Sequence, residues 1–258
     1  MGSPGFERDG YVLVRGLLDP SEVAFFKQRI QKLTALRDDD FGRRPGRYLR
    51  DVITKNEALW PIIFHERLLA HVRGIVGPTA RYLQNGDLLA HFGTWNWHRD
   101  VPAKMFSDPR RPVVRAAIYL HDFAATGSRL GVIAGSHRPP HRSLADRELR
   151  FWNGLSERLY ARTLTRGLVP AGLLRQPMWT ARKTMIRTSP GDCVIFDAKL
   201  LHSGTAITGP TYKMLLSYGP DDEASRAHVE HFRTRTDYLA ELPEALRSRL
   251  AAHELLFA

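Results

Sequence analysis

The stretch that most restricts the fold is Val113 to Leu120, V-V-R-A-A-I-Y-L. Its alternation sends Arg115, Ala117 and Tyr119 to one face of a strand and Val114, Ala116, Ile118 and Leu120 to the other. Short runs of the same kind recur at Tyr11 to Val14, Leu130 to Ala134, Lys183 to Thr188, Cys193 to Asp197 and Lys213 to Tyr218. Ala80 to Phe92 reads either as a hairpin turning at Asn85-Gly86 or as one long bulged strand. The chain is therefore expected to be mainly β with flanking helices.

The helices are marked by their ends. Asp19 fits an N-cap, Pro20 the first helical position and Glu22 a capping box, with Val23, Phe26, Ile30 and Leu33 as one buried stripe. Residues 37–50 read as a charged loop, and Ala58 to Ile75 as a second helix ending near Gly77-Pro78. Residues 139–180 interrupt the strands. Within them Leu144 to Leu164 is helical, Gly167 to Trp179 is apolar, and the whole is either a lid or an outer buttress. The tail from Asp222 to Ala258 reads as helical, with Leu239, Leu242, Leu246 and Leu250 available for packing. One domain is expected over 1–258: barrel and N-terminal helices at about 5–220, the insertion, and the tail.

Composition narrows the class. Hydrophobic residues are 43% and charged ones 25%, which suits a globular chain rather than a disordered one. Nothing approaches a membrane span, and the N-terminus lacks a signal pattern, so a cytoplasmic protein with no membrane partner is expected. The single cysteine, Cys193, excludes an internal disulfide and reads as a small core residue. The net charge of +11 includes arginine clusters at Arg43, Arg44, Arg47 and Arg50 and at Arg110, Arg111 and Arg115. Such a balance accompanies nucleic-acid or anion binding, yet solvated arginine-rich faces explain it more simply, and a nucleic-acid partner is not expected.

The chemistry is carried by W-N-W-H-R-D, Trp95 to Asp100, and by His202 far downstream. His98 and Asp100 at H-x-D spacing share one face of an extended segment. A second imidazole completes a two-histidine, one-carboxylate set, which leaves coordination positions open and suits Fe(II) oxygenases. H-x-D alone is weak evidence in a chain with 11 histidines. Its surroundings supply the specificity. Gly10 to Leu18 (G-Y-V-L-V-R-G-L-L), W-H-R-D at 97–100, G-S-H-R at 135–138, P-G-D at 190–192 and H-S-G at 202–204 occur in that order. Together they resemble the phytanoyl-CoA dioxygenase family of Fe(II)/2-oxoglutarate oxygenases over roughly residues 5–220.

That resemblance implies a double-stranded β-helix, a jelly-roll or cupin-like barrel, with His98, Asp100 and His202 as iron ligands and 2-oxoglutarate and O2 as cosubstrates. It implies oxidation of an unactivated C–H bond, most simply hydroxylation, in a small organic and possibly anionic substrate. Desaturation, cyclisation and epimerisation begin with the same hydrogen abstraction. Related halogenases replace the metal carboxylate with a small residue, so Asp100 argues against halogenation. The family's arginine for the far carboxylate of 2-oxoglutarate stands eleven positions after the second histidine; here that position is Lys213. Lysine offers a point charge where arginine offers a fork. Thr205 is a candidate supporting hydroxyl; Arg115, His91 and Trp97 are candidate substrate contacts. The competing readings are a metal-binding barrel with altered catalysis and a nucleic-acid-directed oxygenase. A monomer or homodimer is expected.

Overall fold

The computed structural model describes residues 4–93, 96–100, 112–163 (side chains to 155), 178–235, 237–238 and 241–257. Among the described residues nine strands form two antiparallel sheets: β1 (Tyr11–Val14), β2 (Arg47–Leu49), β3 (Arg81–Ala90), β4 (Val114–Tyr119), β5 (Leu130–Val132), β6 (Thr184–Ile186), β7 (Cys193–Asp197), β8 (His202–Gly204) and β9 (Tyr212–Gly219). The large sheet has the order β1-β7-β4-β9-β3-β2 and the small one β6-β5-β8. An isolated antiparallel bridge between His98 and His202 places the H-x-D segment beside β8.

The alternation in β4 decides which face does what. Val114, Ala116, Ile118 and Leu120 join the main core with Phe26, Ile30, Trp60, Ile62, Leu68 and Val72 from the helical layer. Ala117 and Tyr119 face the other way and pack with Val194 and Phe196 against Leu130, Val132 and Ile186 of the smaller sheet and against Leu200 in the turn before β8. Burying each such Leu or Ile stabilises the fold by about 1.5–3 kcal/mol. A slip of one residue would drive Arg115 into the helical layer and Ile118 into the gap between the sheets, so the register is strongly specified.

The first long helix, Pro20–Thr34, begins as its sequence predicts. Asp19 accepts from the Ser21 and Glu22 amides, and the Glu22 side chain closes the capping box. Its buried stripe is Phe26, Ile30 and Thr34, whereas Leu33 is 37% exposed. The Thr34 hydroxyl donates to the Ile30 carbonyl at 2.8 Å and so buries beside it. The predicted helix over 58–75 is two pieces, a 3-10 turn at Glu57–Ile62 and an α-helix at Glu66–Val76. Pro61 lacks the N–H that a continuous helix requires. The predicted loop at 37–50 contains β2, paired to Leu88–Ala90.

Asn85-Gly86 does not turn a hairpin. β3 is continuous, with a register shift between Tyr82 and Gly86. A Cβ at Gly86 would stand 2.6 Å from the Tyr82 hydroxyl and 2.7 Å from Ile53 Cβ, so only glycine lets the bulge close against its neighbours. The helix Leu144–Thr163 sends Ala145, Leu149 and Trp152 onto Trp97, Ile133 and Leu201. The predicted apolar stretch 167–179 lies mostly outside the described residues, as do Trp95, Arg110, Arg111 and Leu239. In the tail, helices Glu223–Arg233 and Glu244–Ala252 bury Val229, Leu246 and Leu250. Among the described residues no helix is long and apolar enough to cross a membrane.

Candidate metal centre

His98, Asp100 and His202 converge. One ligand atom from each lies within 4.8 Å of the others. Asp100 Oδ1 stands 3.4 Å from His98 Nε2 and 3.6 Å from His202 Nε2. Backbone pairing creates this meeting: the amides and carbonyls of His98 and His202 exchange hydrogen bonds of 3.0 and 3.1 Å, and the Asp100 amide donates to the Ala198 carbonyl.

The tautomers follow from the partners. His98 Nδ1 lies 2.8 Å from the Asn96 carbonyl and His202 Nδ1 lies 2.9 Å from the Leu200 carbonyl. A carbonyl only accepts, so both Nδ1 atoms carry hydrogen and both Nε2 atoms face Asp100. This is how metal-ligating histidines are oriented by their surroundings. Burial pushes His202 down to about 4, leaving its imidazole neutral. Burial also pulls on His98, but the hydrogen bond and charge of Asp100 outweigh it and raise its pKa. A cation entering here would displace that proton.

Arg115 is buried and points into the gap between the sheets. Its guanidinium is already held: Nε is 3.3 Å from Asp100 Oδ2, Nη2 is 3.1 Å from Asp87 Oδ2 and Nη1 donates to Ser217 Oγ at 2.8 Å. Asp87 further accepts from the Tyr48 hydroxyl and the Asp51 amide. A cation fixed between two carboxylates orients Asp100 so that Oδ1 faces the imidazoles. That differs from the substrate contact expected for Arg115. Burial works against the Asp100 carboxylate, but the charge of Arg115 and the hydrogen bond from His98 hold its pKa far below the usual range.

Lys213 shares the inward row. It pairs in register with Tyr119, as Ser217 does with Arg115, so Arg115–Ala117–Tyr119 and Ser217–Leu215–Lys213 run side by side. Lys213 is buried, with Nζ 5.7 Å from the Tyr119 ring centre. No carboxylate among the described residues pairs with it, and burial alone pushes its pKa down to about 8. The row runs over five residues, four steps or about 13 Å of strand, with small or apolar Ala117 and Leu215 between its charged ends.

Three expected contacts lie elsewhere. His91 sits on the helical side of the large sheet, its Nε2 3.1 Å from the Tyr212 hydroxyl and its ring against Phe41. Trp97 is on the outer face of the small sheet: its ring limits the space at Gly131, whose neighbours Leu130 and Val132 face inward. Trp97 follows the strand period, which turns it away from its neighbour His98; His91 lies just past β3 with φ +49, and that left-handed turn takes its side chain off the alternation, to the same side as Ala90. The Thr205 hydroxyl is engaged by a turn, accepting from the Arg129 amide at 2.9 Å and donating to the Gly127 carbonyl at 3.1 Å.

A cavity of about 190 Å³ reaches His98 and Asp100 of the triad and is lined also by Tyr48, Asp87, Arg115 and, from the tail, His228 and Tyr238 among others. Sequence reasoning missed Asp87, though an acidic residue inside the apolar run Leu88-Leu89-Ala90 is a legible signal. Tyr48, His228 and Tyr238 carry no such signal.

The chain matches the family described as phytanoyl-CoA dioxygenase (PhyH) over residues 6–215. No curated protein matches it. Among solved structures it resembles the epimerase SnoN in complex with Fe3+, alpha ketoglutarate and nogalamycin RO (20% identity, TM-score 0.58, covering 84% of this chain and 81% of that one). It also resembles HygX from Streptomyces hygroscopicus with nickel and 2-oxoglutarate bound (19%, 0.56, 83% and 84%) and EctD from S. alaskensis with bound Fe (20%, 0.57, 84% and 75%). At these identities the structural likeness speaks for the fold. With a family match over 6–215, the motifs at 10–18, 97–100, 135–138, 190–192 and 202–204 are accounted for together: the chain belongs to the phytanoyl-CoA dioxygenase family.

Proposed function

We propose that the protein is a non-haem Fe(II)/2-oxoglutarate-dependent oxygenase that oxidises an unactivated C–H bond of a small organic substrate, by hydroxylation. The observation that carries this reading is the triad, two imidazole Nε2 atoms and one carboxylate oxygen gathered within 4.8 Å of one another. Two neutral nitrogens and one anionic oxygen fit a divalent iron and leave positions for cosubstrates. The orphan ammonium of Lys213 fits the far carboxylate of 2-oxoglutarate. The two facing sheets are read as a double-stranded β-helix.

When bound, iron with 2-oxoglutarate and O2 supplies an oxidant able to take hydrogen from carbon, with succinate and CO2 as coproducts. The chain's own work is placement. His98 and His202 hold their Nε2 atoms toward the site through their Nδ1–H bonds. Arg115 and Asp87 keep Asp100 in one orientation and ionised. Lys213 provides the buried positive charge, and Ala117 leaves room in front of it. The walls from Tyr48, His228 and Tyr238 narrow the approach from solvent.

The test is oxoglutarate-dependent release of succinate under O2 with iron added, compared with His98→Ala and His202→Ala. Succinate release by both variants at the wild-type rate would remove the triad from the reaction. Iron binding without any spectral response to the oxoacid would favour a metal-binding barrel with altered catalysis. Epimerisation and ring closure share the first step, so product analysis decides among them.

A further inference from the structure

The mouth of the metal cavity carries a pair of cations that the triad does not use. Arg50, one residue past β2, and Arg235, just past the helix Glu223–Arg233, converge on one carboxylate. Arg50 Nη1 pairs with Asp237 Oδ2, and Arg235 Nε lies 3.3 Å from Asp237 Oδ1. Each guanidinium is laid over aromatic rings: Arg50 is 5.4 Å from the Tyr48 centre, and Arg235 is 5.7 and 5.4 Å from those of Phe232 and Tyr238. Stacking restrains the guanidinium planes while their N–H edges stay available to a planar or tetrahedral oxyanion. Both arginines wall the cavity that reaches His98 and Asp100, and Asp237 stands outside that wall.

Charge decides what such a mouth takes. The other cavity arginines are matched, Arg115 by Asp87 and Asp100, and Arg99 by Asp146. Arg50 and Arg235 share a single carboxylate, so two positive charges meet one negative one. Lys55 Nζ adds a third cation close by, donating to the Asp237 carbonyl at 2.7 Å. Arginine stays charged at every physiological pH, and its fork suits carboxylates and phosphates.

We propose that Arg50 and Arg235 receive an anionic group of the organic substrate, a carboxylate or a phosphate, at the mouth of the metal cavity. This rests on the proposed oxygenase reading only for its orientation, with the anion at the mouth and the carbon to be oxidised further in. Arg235, Phe232 and Tyr238 lie beyond residues 6–215, so the tail adds this wall to the part of the chain that the family shares.

Inorganic phosphate and 13C-labelled acetate serve as probes of the full chain, followed by 31P and 13C NMR line broadening. In metal-free protein, saturable binding is expected. Arg50→Gln and Arg235→Gln should each weaken it about tenfold, the loss of one charge-assisted hydrogen bond, while Arg50→Lys retains most of it. The tighter of the two probes identifies the anion class. With Co(II) in the triad, paramagnetic relaxation should place the anion near the metal but outside direct coordination. Binding unchanged in both glutamine variants overturns the proposal, as does relaxation that puts the phosphate on the cobalt itself. Failure of Co(II) to bind would instead strike the oxygenase reading, because the metal-free titration still decides the mouth.

Discussion

Replacing Lys213 by methionine separates stability from function. Burial takes its ammonium from an ordinary 10.5 to about 8 with no compensating carboxylate among the described residues, which corresponds to about 3 kcal/mol of destabilisation at pH 7. Methionine keeps an unbranched chain of similar length and removes the charge. The ligand-free Lys213→Met protein should therefore gain on the order of 3 kcal/mol, and in a chain of this size that raises the melting temperature by about 6–12 °C. The sign with pH follows from the lowered value: the folded state binds fewer protons than the unfolded state between about 8 and 10.5, so wild-type stability rises there and the gap to the variant closes. Calorimetry at pH 7 and at pH 9.5 reads both effects. Titration of the Co(II)-loaded variant with 2-oxoglutarate should show affinity lost by tenfold or more, the worth of one charge-assisted contact. In wild type the same affinity should decline as pH climbs through about 8. A variant that melts no higher than wild type and binds the oxoacid unchanged would refute the idea that Lys213 is held charged, unpaired and waiting for an anion.

Arg115→Met leaves Asp87 and Asp100 buried without their shared cation. It should cost the metal-free protein about 3–5 kcal/mol, and adding Asp87→Asn should recover part of that; equal melting curves for the single variant and wild type would count against the network. Glu148 accepts from the Thr180 hydroxyl and amide, the Trp152 indole and the Trp179 amide. Burial alone would raise its pKa, but these donors bring it down to about 2. Its contribution is thus present above about 4.3 and fades as pH falls toward 2, so tryptophan fluorescence should report a transition in that window that Glu148→Gln lacks. Gly10 has φ +82, and a Cβ there would stand 2.4 Å from His137 Nδ1; Gly10→Ala should destabilise by about 1–3 kcal/mol, visible as a lower urea midpoint.

What the sequence determined was local or paired at short range. The alternation of Val113 to Leu120 set the two faces of β4, the Asp19-Pro20-Glu22 signal set a helix start, and H-x-D placed two ligand side chains on one face. These rest on periods and caps that a few neighbouring residues decide. The family motifs reached further and named His202 and Lys213.

Tertiary structure decided the rest. Whether Asn85-Gly86 turned or bulged depended on Tyr82 and Ile53 crowding Gly86. The side on which Trp97 fell depended on register, where one residue reverses the face, and that of His91 on a left-handed turn just past β3. Arg115 became a clamp on Asp100 because β9 sets β3 one strand away from β4, and the guanidinium reaches over Ser217 of β9 to Asp87, a contact that no spacing in the chain encodes. The tail could be read as helical, but that it walls the metal cavity with His228 and Tyr238 arises only once the chain has returned across the sheet, since pairing between distant segments is fixed by the packing of the whole.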